Sequence, residues 1–340
     1  MTDLVETLRW LVDIPSVTGG EAQLRDAIAH RLSRFPALSV ADSLVVGEPQ
    51  SGATLLVGHL DTVPLQGHVG ATIEGGRVFG LGATDMKSGV AVMVHLLEDL
   101  GPARVATVFY AGEEGPLAGN QLATVLEAAP WLREAESAIV LEPTDRNLEA
   151  GCQGVINADV VFDGEAAHSA RPWLGDNAVT KAGEFLTAMR ELEPELHVIE
   201  GLEFKEVISV TMAQGGIARN VIPSEFVMNV NYRFAPNRPQ DEAISHLESV
   251  CAGADRFTVT DVAPAGAVHT KHPTFLDLAA ASGATFQGKQ GWTDVAQLSE
   301  AGIPAVNFGP GEPALAHKPG ESVRVDDLAW AYESISKVAG

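Results

Sequence analysis

Apolar residues recur at two spacings along the first 150 residues. Residues 3–11 carry them every three to four positions, which predicts a helix that ends before Pro15. Short continuous apolar runs predict strands that are buried on both faces: 54–58, 105–110 and 138–141. Strands that alternate with helices are typical of a mostly parallel sheet with helices on both faces. The first part of the chain is therefore predicted to be an α/β domain.

The same patterns place the remaining elements of this domain. Further helices are predicted near 21–34, 84–100, 117–128, 273–282, 294–301 and from 325 onward. Strands are predicted near 37–46 and 303–308, with a hairpin at 73–80.

The order of the elements changes at about residue 151. The pattern there predicts strand, helix, strand, strand, helix and strand, at 154–163, 176–193, 205–213, 223–235, 239–251 and 256–262. This is the order of a small two-layer, ferredoxin-like (βαββαβ) domain. The sequence therefore predicts an α/β domain made of residues 1–150 and 264–340, interrupted by an inserted domain at 151–263.

The charge of the chain limits its partners. It has 22 basic and 45 acidic residues, a net charge of −23, so phosphate backbones and anionic membranes should repel it. We expect neither a nucleic-acid nor a membrane partner. Two cysteines are too few for a disulfide framework. The chain has no basic-then-apolar signal and no apolar run of about 20 residues, so a cytoplasmic location is expected.

His59 and Asp61 lie at the exit of the strand predicted at 54–58. Alternate residues of a strand project to the same side, so these two side chains should face each other. The Asp61 carboxylate could accept the second ring N–H of His59 and so improve it as a metal ligand. From this pair alone, a surface loop that happens to contain both residues is the plainer interpretation.

Acidic residues follow other predicted strands, and a second histidine follows the last one. They are Asp85, Glu113, Glu114, Glu142 and His317. Ligands of open α/β sheets bind at the carboxyl ends of the strands, so we expect these side chains to share one crevice. Two imidazoles with several carboxylates suit Zn²⁺, Co²⁺ or Mn²⁺. Two such metals need a bridging carboxylate, for which the central Asp85 is the natural choice.

Each of these residues also has a plainer interpretation when it is taken alone. Asp85 could be the N-cap of the helix that follows it. Glu113 and Glu114 could form a solvated acidic turn. Glu142 could be a carboxylate at a strand end, and His317 an ordinary loop residue.

Together, these motifs resemble the co-catalytic zinc amidohydrolases, a family that includes aminoacylase, acetylornithine deacetylase, carboxypeptidase G and succinyl-diaminopimelate desuccinylase. The matching segments are 58–64, 85–87, 113–115, 142–143 and His317. The resemblance covers nearly the whole chain. This chain differs from the family after His317, because Gly320 lies at a position that Asp or Asn often occupies. Glu321 is retained.

The resemblance implies two zinc ions per subunit, with Co²⁺ or Mn²⁺ as possible substitutes. It assigns one zinc to His59, Asp85 and Glu142, and the other to Glu114, His317 and the same Asp85. It also implies that Asp61 orients His59, that Glu113 is the general base, and that a cis peptide joins Asp85 to Met86.

Segments 167–178 and 215–223 resemble the lid of the same family, which pairs two subunits into a homodimer. The resemblance implies that His168 hydrogen-bonds the carbonyl oxygen in the partner's site as charge develops on it, with Asn220 as a second polar group. Arg233 could bind a substrate carboxylate in a bidentate manner. An edge-strand arginine paired to an acid is its alternative. Thr293 would line the site by resemblance, or cap the following helix.

Within the family, residues 149–154 and 168–178 look most like the succinyl-diaminopimelate desuccinylases. The expected reaction is hydrolysis of N-succinyl-LL-2,6-diaminopimelate, a small anionic N-acyl amino acid, to succinate and LL-diaminopimelate in lysine and cell-wall precursor synthesis. Acetylornithine deacetylase, another N-acyl amino acid deacylase and a metallo-carboxypeptidase are the alternatives with similar chemistry. A metal-binding scaffold without catalysis is the alternative of another class, and the presence of every ligand and the base disfavours it.

Overall fold

The structure is a computed structural model that describes residues 2–48, 53–64, 67 and 70–339. Its helices are α1 (Thr2–Val12), α2 (Ala22–Arg31), α3 (Lys87–Leu100), α4 (Leu122–Ala128), α5 (Ala178–Lys181), α6 (Gly183–Glu191), α7 (Gln240–Val250), α8 (Pro273–Ser282), α9 (Val295–Glu300) and α10 (Val325–Val338). Its strands are β1 (Ala37–Val40), β2 (Ser43–Val46), β3 (Thr54–His59), β4 (Thr72–Glu74), β5 (Arg77–Phe79), β6 (Val105–Tyr110), β7 (Ser137–Pro143), β8 (Leu148–Ala150), β9 (Gly154–Asp163), β10 (Glu195–Ile199), β11 (Leu202–Gly215), β12 (Glu225–Phe234), β13 (Arg256–Ala263), β14 (Phe286–Gly288), β15 (Ala305–Gly309) and β16 (Ser322–Arg324).

The chain divides into two compact units. The first comprises Met1–Gly151, His269–Gln287 and Gln297–Gly340, and the second comprises Cys152–Val268 and Gly288–Ala296. Residues 264–268 and 288–296 thus group with the second unit, although the sequence division places them in the α/β domain. Two hydrogen bonds hold these segments there: Gly266 N to Cys152 O (3.0 Å) and Lys205 N to Gln290 Oε1 (3.0 Å).

An eight-stranded sheet forms the centre of the first unit, in the order β1-β2-β6-β3-β7-β15-β8-β14. The four strands β6, β3, β7 and β15 are parallel to one another and buried along their whole length. Burial on both faces explains why these strands appear in the sequence as continuous apolar runs. Their carboxyl ends lie at the same edge of the sheet, since His59 is opposite Tyr110 and Gly309 is opposite Pro143.

Helix α3 packs closely against this sheet. A Cβ atom at Gly89 would lie 2.4 Å from the carbonyl oxygen of Leu141, so only glycine permits the approach. The contact brings the first turn of α3 next to the carboxyl end of β7. The segment that precedes α3 therefore lies beside the ends of the parallel strands.

The second unit is a five-stranded antiparallel sheet in the order β10-β11-β12-β9-β13. Without β10, its elements follow the βαββαβ order and the strand arrangement of a ferredoxin-like fold. Apolar residues on one face of the sheet pack with α5, α6 and α7 into a separate core, which includes Phe162, Phe185, Tyr232 and Leu247. The predicted fold class, a mostly parallel α/β sheet interrupted by a ferredoxin-like insertion, is confirmed.

Several predicted elements are divided in the structure. The segment 37–46 forms two strands around a turn at Ala41 (φ 49°). The helix predicted at 117–128 starts only at Leu122, whose N–H donates to Asn120 Oδ1 (2.9 Å). The helix predicted at 176–193 is interrupted at Ala182. Local turns, and hydrogen bonds from the backbone to side chains, divide elements that hydrophobic spacing alone predicts to be continuous.

Four short strands were not predicted: β8, β10, β14 and β16. Each has only three to five residues, too few to show a period of two. Within the described ranges, no helix combines the length and the apolar character required to cross a membrane.

Candidate metal centre

Five side chains of the first unit that were predicted as metal ligands are positioned by strand ends and the loops that follow them. His59 is the last residue of β3 and Glu142 lies near the end of β7. Glu114 follows β6, Asp85 precedes α3, and His317 lies in the loop between β15 and β16. The parallel sheet therefore brings the predicted ligands together at one edge, although they come from distant parts of the sequence.

Asp85 lies between the two histidines. Its Oδ1 is 3.1 Å from His59 Nε2, and its Oδ2 is 3.3 Å from His317 Nε2. Each carboxylate oxygen thus faces a different imidazole, as a bridging ligand requires. The peptide bond between Asp85 and Met86 is cis, as the family resemblance implied.

Each histidine also faces a second carboxylate. His59 Nε2 lies 3.6 Å from Glu142 Oε1, and His317 Nε2 lies 2.9 Å from Glu114 Oε1. Two ligand atoms bound to one tetrahedral zinc at about 2.0–2.1 Å are roughly 3.3 Å apart. The observed separations lie on both sides of that value, so the residues fit two cations that share Asp85.

The charges of this group also suit a cation. In the part of the chain that the structure describes, Asp85 and Glu114 form ion pairs with histidines and not with lysine or arginine. Hydrogen bonds that the carboxylates of Asp85 and Glu114 accept from the His317 ring raise the pKa of His317 to about 10. Burial alone would lower the pKa of His59, but Asp61 and Asp85 raise it well above its usual value. The carboxylates thus attract positive charge to the ring nitrogens.

Asp61 holds the loop that carries Glu113 and Glu114. Its carboxylate accepts hydrogen bonds from the backbone N–H groups of Gly112 (3.1 Å), Glu113 (3.1 Å) and Glu114 (3.0 Å), and from the Thr18 hydroxyl (3.0 Å). Burial opposes its ionisation, yet His59 and these amides lower its pKa to about 2. A permanently ionised carboxylate therefore fixes the position of both glutamates.

Asp61 also orients His59, but through its main chain. His59 Nδ1 lies 3.0 Å from the carbonyl oxygen of Asp61 and 3.5 Å from the carboxylate oxygen Oδ1. A carbonyl oxygen only accepts, so in the neutral ring Nδ1 carries the proton and Nε2 has the lone pair that a metal needs. The carboxylate itself was the expected partner, but the loop amides and Thr18 are closer to it. The hydrogen bond from the Thr18 hydroxyl to Asp61 could not be predicted, because the Thr18-Gly19-Gly20 sequence indicates only a turn.

Glu113 is half-buried and directly precedes Glu114. Its charge is close enough to contribute to the raised pKa of His59. Its neighbour Glu114 contacts His317 (2.9 Å), and the pairs described for His317 do not include Glu113. The adjacent glutamates can therefore serve two different purposes, one as a ligand and the other as a base.

The other predicted site residues belong to the second unit. The loops that carry His168 and Asn220 are joined, because Ser169 N donates to Asn220 O (2.9 Å) and His168 forms a β-bridge with Val221. Ala170 N donates to His168 Nδ1 (3.0 Å). The two polar residues assigned to the lid thus lie on adjacent, hydrogen-bonded loops.

Arg233 lies on β12, the middle strand of the second sheet, and not on an edge strand. Its Nε donates to Asn231 Oδ1 (3.1 Å), and no carboxylate among the described residues forms an ion pair with it. The hydroxyl of Thr293 is buried beside the Cys152 thiol and accepts no backbone N–H in the described part of the chain. It therefore does not cap α9, which was its alternative role.

Comparisons with known proteins agree with this geometry. The model of peptidase family M20/M25/M40 matches residues 55–339. A Mycobacterium tuberculosis protein with the provisional name succinyl-diaminopimelate desuccinylase DapE is 38% identical, over 99% of this chain and 98% of its own. The succinyl-diaminopimelate desuccinylase of Corynebacterium glutamicum is 36% identical, over 94% of this chain and 91% of its own.

A solved structure, a tripeptidase from Staphylococcus aureus, shares the fold with a TM-score of 0.81. It is 18% identical, over 99% of this chain and 97% of its own. The family match and the two near-full-length relatives settle the assignment. The chain is a metal-dependent hydrolase that belongs to peptidase family M20/M25/M40.

Proposed function

We propose that this protein hydrolyses N-succinyl-LL-2,6-diaminopimelate to succinate and LL-diaminopimelate. The observation that carries the proposal is the near-full-length similarity to two proteins named as succinyl-diaminopimelate desuccinylases. Residues 149–154 and 168–178, which resemble that subfamily, and the grouped metal-binding side chains agree with it.

We further propose that the first unit is the catalytic domain and holds two zinc ions. His59, Asp85 and Glu142 would bind one ion, and Glu114, His317 and Asp85 the other, with Co²⁺ or Mn²⁺ as possible substitutes. Two divalent cations held there would polarise the scissile carbonyl and lower the pKa of the attacking water.

Glu113 is the general base of the proposed reaction. Its main chain is fixed by Asp61, and its carboxylate takes the proton of the attacking water. The same carboxyl group then returns the proton to the leaving amine. A positioned acid–base group of this kind contributes about 10²–10⁴-fold to the rate.

His168 supplies a hydrogen bond to the carbonyl oxygen as negative charge develops on it. Because Nδ1 accepts the hydrogen bond from Ala170 N, a neutral His168 ring carries its proton on Nε2. Nε2–H is then a donor that needs no reorganisation during the reaction, as oxyanion stabilisation requires. We propose that it acts in the active site of the partner subunit, with Asn220 beside it.

The second unit has a strand edge suited to forming a homodimer. Strand β10 pairs only with residues 202–206 of β11, and in the described chain no strand pairs with the outer edge of 207–215. Met212 on this stretch is 72% exposed. An open edge with exposed apolar side chains is a template for strand addition, and a second copy of this unit would supply a matching strand.

Arg233 and Thr293 are the proposed contacts to the substrate. Arg233 is half-buried and lacks a carboxylate partner within the described residues, in a chain with 45 acidic residues. Burial disfavours the charged guanidinium and so lowers the pKa of Arg233. An anionic ligand would offset this cost and could form a bidentate contact. The buried hydroxyl of Thr293 is the second proposed polar contact.

We also propose a cytoplasmic location. Both cysteines, Cys152 and Cys251, are buried and free in the structure. Free thiols are the usual state in a reducing compartment.

A substrate panel tests the reaction. Zinc-loaded protein would be assayed with N-succinyl-LL-diaminopimelate, N-acetyl-ornithine, N-acetyl amino acids and dipeptides, each with a chelator control. We expect the highest kcat/KM for the succinyl substrate and its loss with chelator. Preferred turnover of acetyl-ornithine or of a dipeptide would refute the substrate but keep the metal chemistry.

Mixing two inactive variants tests the role of His168 across subunits. Glu113→Gln lacks the base, and His168→Ala lacks the donor. If His168 acts in the partner's site, a mixed dimer contains one complete site, so an equimolar re-assembled mixture should recover about a quarter of wild-type activity. A mixture as inactive as either variant alone, although mixed dimers have formed, would place His168 in its own subunit's site or outside the reaction.

A further inference from the structure

Glu321 is a buried carboxylate that binds the loop carrying Asp85. It lies four residues after His317 and is 1% exposed. Its two oxygens accept hydrogen bonds from the backbone N–H groups of Gly82 (3.0 Å), Thr84 (2.9 Å) and Asp85 (3.0 Å). The Glu321 carboxylate thus satisfies three backbone N–H groups of the loop.

No basic side chain neutralises this carboxylate directly. In the described residues, neither lysine nor arginine forms an ion pair with Glu321, and the nearby Lys87 donates instead to the carbonyl oxygens of Leu11 (3.1 Å) and Ile14 (2.8 Å). A buried charge without such compensation is costly unless hydrogen bonds satisfy it. The loop amides provide those hydrogen bonds, so the position of the loop depends on Glu321.

The segment 317–321 therefore links the second histidine to the bridging aspartate. His317 at its start contacts Asp85 Oδ2, and Glu321 at its end holds Asp85 N. A turn joins the two, in which Glu321 N donates to Lys318 O (3.1 Å) and Gly320 has φ 83°. Glycine adopts this left-handed conformation without strain, which accounts for Gly320 at the position where the chain departs from its family.

Asp61 gives the precedent for this arrangement within the same site. Its carboxylate accepts three consecutive backbone N–H groups, those of residues 112–114, and so fixes Glu114. Glu321 does the same for the loop that ends at Asp85. One buried carboxylate thus holds each of these two ligand-bearing loops.

We propose that Glu321 is a positioning residue, which fixes Asp85 between the two imidazoles and so sets the affinity of both cation sites together. The inference rests on the proposed two-metal centre. A residue that only anchored the His317 loop would affect one of the two cation sites. A residue that positions the shared ligand must affect both.

Metal affinity of the full-length protein tests this. For Glu321→Ala, we expect the affinity for Zn²⁺ to fall about 10–100-fold at both sites, the usual effect of removing a group that holds a ligand. For Glu321→Gln we expect a smaller loss, since one oxygen can still accept from Thr84 and Asp85 while its NH₂ group faces the Gly82 N–H. Competition with a chromophoric chelator gives the affinities, and the visible spectrum of the Co²⁺-loaded protein reports the coordination.

Asp327→Asn is the matched control. Asp327 is fully buried in the same unit and accepts hydrogen bonds from Arg146 (2.7 Å) and Arg324 (3.0 Å), and none of its hydrogen bonds or ion pairs involves a proposed ligand. We expect this variant to lose thermal stability while it keeps the Zn²⁺ affinities and the Co²⁺ spectrum of the wild type.

The outcomes separate the inference from the proposed centre. If Glu321→Ala loses stability as the control does but binds both metals normally, Glu321 is only structural and the proposal is overturned. Weakening of a single site would also overturn it, because the shared ligand would then be in place. Wild-type protein that binds no metal would refute both the centre and this role of Glu321.

Discussion

Among the residues that the structure describes, two groups of histidine and carboxylate side chains have ligand atoms that lie within 4.8 Å of one another. They are His59, Asp85 and Glu114 in the first unit, and Glu195, His197 and Glu206 in the second. Both combine one imidazole with two carboxylates. By residue type alone, either could hold a metal ion.

The second group already contains its own cation. Arg238 donates from Nε to Glu206 Oε1 (2.8 Å) and from Nη2 to Glu195 Oε2 (3.1 Å). Glu206 also accepts from the Tyr232 hydroxyl (2.6 Å) and from Ala235 N (2.8 Å). Although burial opposes its ionisation, Arg238 and these donors lower the pKa of Glu206. Its carboxylate is satisfied by the protein itself.

Among the described residues, neither Asp85 nor Glu114 of the first group pairs with a lysine or arginine, and their partners are His59 and His317. The comparison indicates that a metal site is distinguished by carboxylates that lack a lysine or arginine partner, as much as by the types of its ligands. A carboxylate that an arginine already satisfies has little to gain from a metal ion.

The change expected to affect both metal content and activity is at the proposed bridging residue. Asp85→Asn removes charge from the ligand shared by both proposed sites, so we expect the bound zinc to fall and kcat to drop by roughly a thousand-fold, since a catalytic metal is worth several kcal/mol. Metal analysis and steady-state kinetics measure both. The matched change in the other group, Glu206→Gln, should leave the zinc content unaltered, and a loss of zinc there would contradict the comparison.

A second variant separates metal binding from chemistry within the first group. Glu113→Gln should retain its zinc, because Glu113 is not among the proposed ligands, and should lose about 10²–10⁴-fold in kcat as a missing general base does. Metal content and turnover would be measured on the same preparation. Substantial remaining kcat would remove Glu113 from the role of base.

The third prediction removes the cation from the second group. Arg238→Met leaves Glu206 buried and unpaired, which should cost about 3 kcal/mol of unfolding free energy, the lower part of the range for breaking a buried ion pair. If the arginine is what excludes a metal, this variant should also bind an additional divalent ion weakly. Chemical denaturation and zinc titration test the two effects. No additional binding would mean that geometry, and not counter-charge, distinguishes the groups.

The smallest effect is the dependence on pH. A metal must displace the protons of His59 and His317, whose pKa values are raised in the metal-free protein, so zinc affinity should rise with pH towards 10. The stability of the metal-free protein should change with pH in the opposite direction. Because the two histidines have raised pKa values in the folded state, their protonation stabilises the fold fully below the unfolded pKa of about 6.5. This contribution is lost as pH rises through the folded pKa values.

Calorimetry in buffers of different ionisation enthalpy counts the protons released on zinc binding, and thermal unfolding of chelated protein follows the second effect. A Tm of the chelated protein that rises between pH 7 and 10 would contradict the assignment of these protons to the two histidines.

Much of the fold could be predicted from hydrophobic spacing. Strands β3, β6 and β7 are buried on both faces, which leaves continuous apolar runs in the sequence, and β9 alternates clearly enough to give its bounds, Gly154–Asp163. Strand β10 and the break at Ala182 could not be predicted in this way. Their formation depends on tertiary pairing and local turns that leave no periodic pattern.

The predicted ligands come together in the structure, because the carboxyl ends of parallel strands converge whatever their separation in sequence. The supporting hydrogen bonds could not be predicted. The bonds of Asp61 to residues 112–114 and of Glu321 to the loop before Asp85 involve backbone amides, which every residue carries. Arg238 next to Glu206 is likewise a tertiary contact without a local signal.

Anomalous scattering at the zinc absorption edge, from crystals of the zinc-loaded protein, would test the central claim most directly. We expect two peaks, one between His59, Asp85 and Glu142 and one between His317, Asp85 and Glu114, and none between Glu195, His197 and Glu206. A peak in the second group, or the absence of peaks beside Asp85, would contradict the account that unmet negative charge marks the metal centre of this protein.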